Sequence, residues 1–154
     1  MRVKVIAEAG INHNCNIQNA FELVDAAIDS GADIVKFQTY LTEELVLKNT
    51  RLANYQKKNS KINNQLNLAK NLELPDEWIF KAYNYCKKKN IGFLCAAFDE
   101  ESVGFISRKL KCKTVKSPSS EINNFPLLKL MAKEFKSIII STGASNLNDC
   151  LKAK

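Results

Sequence analysis

Five short β-branched or apolar runs, at residues 3–7, 34–37, 91–96, 114–115 and 137–140, alternate with segments whose apolar residues recur at helical spacing. This repeated strand-then-helix order confines the chain to α/β folds built on a largely parallel sheet. Between the first two runs, Ile17, Ala20, Phe21, Val24, Ala27 and Ile28 share one helical face, with Asn16 as N-cap and Gly31 just past the end. A second helix opens at Pro75-Asp76-Glu77 and closes in Lys87-Lys88-Lys89, cations suited to the negative end of a helix dipole. Shorter helices are expected over residues 100–110, from Pro126 at the first helical position to about Phe135, and from near Asn146. Residues 41–74, rich in Asn, Lys and Ser, break the rhythm and read as one long loop, either a functional lid or a disordered segment.

The 154 residues suffice for one domain. A closed (β/α)8 barrel takes about 250 residues, or about 31 per unit, so the chain holds about five units. The pattern alone leaves open whether these five strands are part of such a barrel or an open doubly wound sheet. Of 23 basic residues only Arg2, Arg51 and Arg108 are arginine, against 16 acidic residues, for a net charge of +7. Sequence-specific nucleic-acid readers rely on arginine forks, so a lysine-coated surface suits an anionic small molecule better and no nucleic-acid partner is expected. Five cysteines without a C-x-x-C pair imply neither a disulfide framework nor a zinc clip, and the sole histidine, His13, excludes a multi-histidine metal site within the chain. The apolar start Val5-Ile6-Ala7 is cut off by Glu8, and no run reaches the length of a membrane span. A cytoplasmic protein without a membrane partner is the expectation.

In α/β folds the site lies at the carboxyl ends of the strands. Here those ends are polar: Glu8 and Asn12-His13-Asn14, then Lys36 and Gln38, then Lys116-Ser117-Pro118-Ser119-Ser120-Glu121, then Ser141-Thr142-Gly143. Alternation puts Val35 and Phe37 on one face of the second strand and Ile34, Lys36 and Gln38 on the other. An inward ammonium is costly unless an anion neutralises it. Lys36 is therefore expected either to pair with a carboxylate such as Glu8 or to join Lys116 in a site for a phosphate or carboxylate. The hydroxyls of Ser117, Ser119, Ser120 and Ser141 either shape connections or donate to such an anion. Glu121 is either an acid-base group beside Lys116 or its ion-pair partner.

Taken together, A-E-A-G-I-N-H-N from Ala7, G-A-D-I-V-K-F-Q-T from Gly31, A-F-D from Ala97, K-S-P-S-S-E-I-N-N-F-P from Lys116 and I-I-I-S-T-G from Ile138 resemble the sialic acid synthase family. That family includes N-acetylneuraminate and legionaminate synthases, and the likeness runs in register along the chain, with A-N-Y-Q from Ala53 in the long segment. The resemblance implies a TIM barrel, of which this chain forms about five of the eight units. It also implies a transferase that condenses phosphoenolpyruvate with an N-acetylated amino sugar of the N-acetylmannosamine type, giving a nine-carbon 2-keto acid and phosphate. By position, Lys36, Lys116, Ser119 and Ser141 match phosphoenolpyruvate-binding residues, joined by Gln38 and Asn12. Glu8 matches a sugar-binding glutamate and Glu121 an acid-base group, which makes these two the catalytic candidates. Tyr55 and Gln56 fall in the loop that, by resemblance, closes over the sugar. Ala96 stands where the family has threonine, a hydroxyl expected to touch phosphoenolpyruvate.

The family's divalent metal, Mn2+ or Mg2+, is held by two histidines that lie further along than this sequence runs, as do the last barrel strands and a small antifreeze-like domain. A homodimer is implied for the full-length family. The chain is thus expected to be the N-terminal portion of a synthase, without metal ligands of its own and at best weakly active alone. The alternative is a non-catalytic anion-binding or assembly module. In either case a five-strand wall leaves its first and last strands with unpaired outer edges.

Overall fold

The computed structural model describes residues 2–52, 62, 64–143 and 145–154, so Tyr55 and Gln56 lie outside the described residues. Strands β1 (Ile6–Gly10), β2 (Ile34–Thr39), β3 (Gly92–Ala97), β4 (Thr114–Ser117) and β5 (Ser137–Ile140) form one parallel sheet in the order β1-β2-β3-β4-β5. A doubly wound sheet reverses its strand order at a switch point. Here spatial order follows chain order throughout, the arrangement of consecutive (β/α) barrel units, and the fold is a partial TIM barrel of five units.

The helices are α1 (Ile17–Asp29), α2 (Thr42–Leu45), α3 (Gln65–Leu72), α4 (Asp76–Lys89), α5 (Glu100–Gly104), α6 (Phe125–Glu134) and α7 (Leu147–Ala153). The start of α1 is fixed by the Asn16 side chain, which accepts hydrogen bonds from the backbone N–H groups of Gln18 and Asn19. At its other end α4 stops where Asn90 turns left-handed, at φ 59°. The core forms where Val35, Phe37, Cys95, Ala97 and Val115 on the outer face of the sheet meet Val24 of α1, Ile79 and Cys86 of α4, and Leu127 and Met131 of α6. Within it Phe37 is fully buried, its ring centroid 6.4 Å from that of His13 and 5.8 Å from that of Phe93.

Among the differences from the sequence expectation, four stand out. The first strand begins at Ile6 rather than residue 3, and Val3 and Val5 are 81% and 54% exposed. There the Asp33 carboxylate accepts the Val5 N–H at 2.8 Å and pairs with Arg2, while the Val5 carbonyl accepts from the Ile34 N–H at 3.2 Å. Residues 41–74 are not one loop, because α2 and α3 fall within them. Their scattered apolar residues Leu45, Val46, Leu66 and Ala69 gather with Tyr40, Ile11 and Phe98 into a second, smaller cluster. The helix expected over 100–110 is α-helical only to Gly104 and continues as a wider π turn over Phe105–Lys109. Finally, Phe125 takes the first position of α6, which leaves Pro126 second.

Candidate active site

Strand register decides which side chains meet. Glu8 lies beside Lys36 and Lys36 beside Leu94; one layer on, Gln38 lies beside Ala96, Ala96 beside Lys116, and Lys116 beside Ile139. The alternate residues of the same strands are buried against the helices, so this set forms the inner wall.

Lys36 donates to a Glu8 carboxylate oxygen in an ion pair, and the second Glu8 oxygen accepts from Gln38 Nε2 at 3.3 Å. Of the two roles open to Lys36, the pairing with Glu8 is the one made here. Lys116 is half-buried and makes no ion pair among the described residues. Burial holds its ammonium below the usual lysine range, and the positive charge of Lys36 adds to the depression while Glu8 opposes it. One carboxylate and two ammonium groups therefore act on each other from three positions on the wall, leaving an excess positive charge. Lys116 is the next-to-last residue of β4, whereas Lys36 lies mid-way along β2, one layer below.

Gly10 makes this arrangement fit. A bulge separates Glu8 from Gly10 in the β1–β2 register, and Gly10 takes φ +55°. A Cβ there would lie 2.8 Å from Glu8 Oε1 and 3.4 Å from Gln38 Nε2. Only glycine meets both the left-handed backbone and the close approach of the carboxylate. Sequence reasoning missed this role, although a glycine two places after an inward glutamate was a visible signal.

The remaining candidates surround this group at different removes. Ser119 opens a 3-10 turn, Ser119–Glu121, and its hydroxyl lies 3.9 Å from where a Cβ on Gly143 would stand. Ser141 follows β5 directly, with its N–H bonded to the Ser117 carbonyl at 3.1 Å, so the ends of β4 and β5 bring these hydroxyl-bearing segments side by side. Asn12 is exposed in the turn after β1, where its N–H donates to the Ala9 carbonyl. Glu121 makes no ion pair with Lys116. It instead accepts from Asn124 Nδ2 at 3.0 Å and lines a cavity of about 560 Å3 with Glu44, Asp99, Glu100 and Glu101. Among the described residues no group of three or more His, Cys, Asp or Glu side chains is placed to hold a metal ion. All five cysteines are free, and no described helix is long and apolar enough to cross a membrane.

His13 organises the loop that leaves β1. It is fully buried, its Nδ1 accepts the Cys15 N–H at 3.1 Å, and its carbonyl accepts from Asn16 N–H and Asn19 Nδ2. With Nδ1 an acceptor, the ring is neutral and carries its proton on Nε2. Burial lowers its pKa from the ordinary 6.5. The unfolded chain thus takes up this proton first, and His13's contribution to stability is complete above about pH 6.5 and is lost as pH falls below it. Urea midpoints measured across this window are expected to drop on the acid side, and the His13→Gln variant to show a flatter dependence; equal slopes in both proteins would refute the assignment.

Residues 23–154 match the model of the NeuB family. Over 150 residues the chain is 41% identical to the N,N'-diacetyllegionaminic acid synthase of Campylobacter jejuni, covering 97% of this chain and 45% of that one. It is 42% identical over 146 residues to the protein of the same name from Legionella pneumophila, covering 94% and 41%. The crystal structure of the N-acetylneuraminic acid (sialic acid) synthetase of Leptospira borgpetersenii, in complex with citrate, superposes with a TM-score of 0.84 at 28% identity, covering 99% of this chain and 49% of that one. The chain spans less than half the length of the curated relatives it matches here.

Proposed function

Because the chain belongs to the NeuB family, we propose that it supplies the donor-gripping wall of a synthase that joins phosphoenolpyruvate to an N-acetylated amino sugar of the N-acetylmannosamine type. The carrying observation is the pair of ammonium groups on the inner wall, of which Lys116 is in no ion pair among the described residues. Phosphoenolpyruvate brings both a carboxylate and a phosphate, and two cations on the inner wall, one from β2 and one from β4 with β3 between them, answer that charge pattern. Ser119 and Ser141 are the neutral donors that complete the cradle.

In the reaction so read, C3 of the enol forms a bond to the sugar's aldehyde carbon, and a water oxygen adds at C2. The tetrahedral intermediate then breaks its C2–O bond to phosphate, leaving the 2-keto acid and inorganic phosphate. Glu8, once an incoming anion takes over its hold on Lys36, is a free carboxylate beside the reacting carbons, fit to bind a sugar hydroxyl or carry a proton. Glu121 serves as the second acid-base group only after leaving Asn124, and Tyr55 and Gln56 belong to the loop that meets the sugar. The full-length enzyme works as a homodimer in this reading.

Calorimetric titration with phosphoenolpyruvate tests the reading, followed by phosphate release in the presence of N-acetylmannosamine and Mn2+. Saturable binding with slow phosphate release is the expected result. Binding without release would reduce the chain to an anion-binding module, and absence of binding would overturn the assignment of the wall.

A further inference from the structure

Of the strings at the strand ends, Ala97-Phe98-Asp99 has no part in the reaction as read so far. Asp99 is buried, yet it is in no ion pair among the described residues. Its Oδ1 accepts the Ser102 N–H at 2.7 Å, which caps α5, and its Oδ2 accepts both the Ser102 hydroxyl at 2.9 Å and the Leu41 N–H at 2.8 Å. To cap a five-residue helix a neutral serine or asparagine serves as well. A buried carboxylate is costly, and the bond that capping leaves unexplained is the one to Leu41, 58 positions away in the chain.

Leu41 precedes α2 and gives it no side-chain cap. The N–H groups at the start of α2 end instead on carboxylates from other elements: Leu41 on Asp99 at the exit of β3, and Thr42 on Glu73, just past α3, at 3.0 Å. The Glu73 carbonyl in turn accepts from Cys15 Sγ at 3.3 Å, in the loop after β1. Apolar contacts follow the same path. Phe98 meets Tyr40 edge-on at 5.9 Å, the Tyr40 hydroxyl donates to the Ala69 carbonyl at 3.0 Å, and Ile11 packs into that cluster. Ile11 adjoins Gly10, whose bulge seats Glu8, and Tyr40 stands two residues past Gln38, the donor to Glu8 Oε1. The exits of β1, β2 and β3 are thus tied to one another next to the residues that bear the site.

We infer that Asp99 is a positioning residue: by holding the Leu41 N–H it fixes the carboxyl ends of β1 and β2 against β3, and with them the placing of Glu8 and Gln38 on the inner wall. Without that acceptor the part-buried Leu41 N–H must turn toward water, and the shift passes through Tyr40 and Ile11 to Gly10. The inference rests on the proposed phosphoenolpyruvate site for its effect on affinity, and on the fold alone for its effect on structure.

Asp99→Ser separates the two duties, since serine caps a helix about as well as aspartate while its single hydroxyl cannot also serve Leu41. Ser102→Ala is the control, taking one bond from the same carboxylate and leaving Leu41 held. Both are compared with the parent by calorimetric titration with phosphoenolpyruvate and by amide NMR spectra, well below the melting temperature. Asp99→Ser is expected to bind phosphoenolpyruvate about tenfold more weakly, as misplaced site groups do. It is also expected to shift the amide resonances of Gly10, Ile11 and Gln38 along with that of Leu41, and Ser102→Ala to do neither. Should the serine variant not fold, Asp99→Asn, with one oxygen for the Leu41 and Ser102 N–H groups, is expected to show both changes to a smaller extent. The inference is overturned by unchanged affinity in a folded Asp99 variant, by an equal loss in Ser102→Ala, or by shifts confined to Leu41, Thr42 and α5. A parent protein that does not bind phosphoenolpyruvate defeats the proposed function instead, and the amide shifts then decide the positioning role by themselves.

Discussion

Replacing Lys116 by methionine is expected to weaken phosphoenolpyruvate binding by roughly 30- to 5000-fold, the equivalent of the 2–5 kcal/mol that goes with losing one partner of a desolvated charge pair. The same change is expected to leave the fold as stable as before, or more so. Both effects come from one source. In the free protein the Lys116 ammonium is partly stripped of water and repelled by Lys36, with Glu8 offering only partial relief. Methionine fills a similar volume without either penalty. Because the folded-state pKa lies below the usual 10.5, the unfolded chain holds this proton more tightly. The penalty is thus fully present below the lowered pKa and fades as pH rises through it, a trend the variant lacks. Phosphoenolpyruvate affinity in the parent protein should fall over the same rise, earlier than an ordinary lysine would allow. Calorimetric titration and urea unfolding of both proteins measure the two effects; unchanged affinity in Lys116→Met would remove this lysine from the site.

A second large effect is expected behind the wall. Phe37→Ala should destabilise the protein by about 3–5 kcal/mol, a large share of the roughly 5–15 kcal/mol that holds a domain together. Phe37 is fully buried on the face of β2 opposite Lys36 and Gln38, with the rings of His13 and Phe93 against it. Removing it opens a cavity between the β1 loop and the sheet, and neither side can close it without moving the strand that carries Lys36. Phe37→Leu keeps most of the volume and should cost less than half as much while retaining phosphoenolpyruvate binding. A loss below about 1 kcal/mol for the alanine variant, read from urea unfolding, would mean the site collapses around the gap more readily than such cores do.

The parts of this architecture that are legible in the sequence are those written in short-range pattern. Buried parallel strands read as β-branched runs, and α1 and α4 announce themselves through Asn16 and the closing lysines. Alternation on β2 separates Lys36 from Phe37 without any knowledge of the neighbours. What pattern alone does not carry is partnership across the chain. Asp33 holding Val5, the apolar cluster around Tyr40 that supports α3, and Gln38 engaging Glu8 all depend on residues brought together only by the fold. Short helices such as α2 and α3 draw their stability from such packing rather than from their own sequence. The likeness of motifs reached the family without these details, because it rests on which residues stand at the strand ends rather than on how each is held.

The Glu8–Lys36 pair makes the wall a filter for valence. A solute with one negative charge that displaces Glu8 merely exchanges one carboxylate for another and leaves Lys116 as it was. A solute with two or more charges also quenches the repulsion between the two lysines, a gain the monovalent competitor cannot collect. Chloride and acetate are thereby expected to compete poorly with a side chain already in their place, a disadvantage that multivalent solutes do not share.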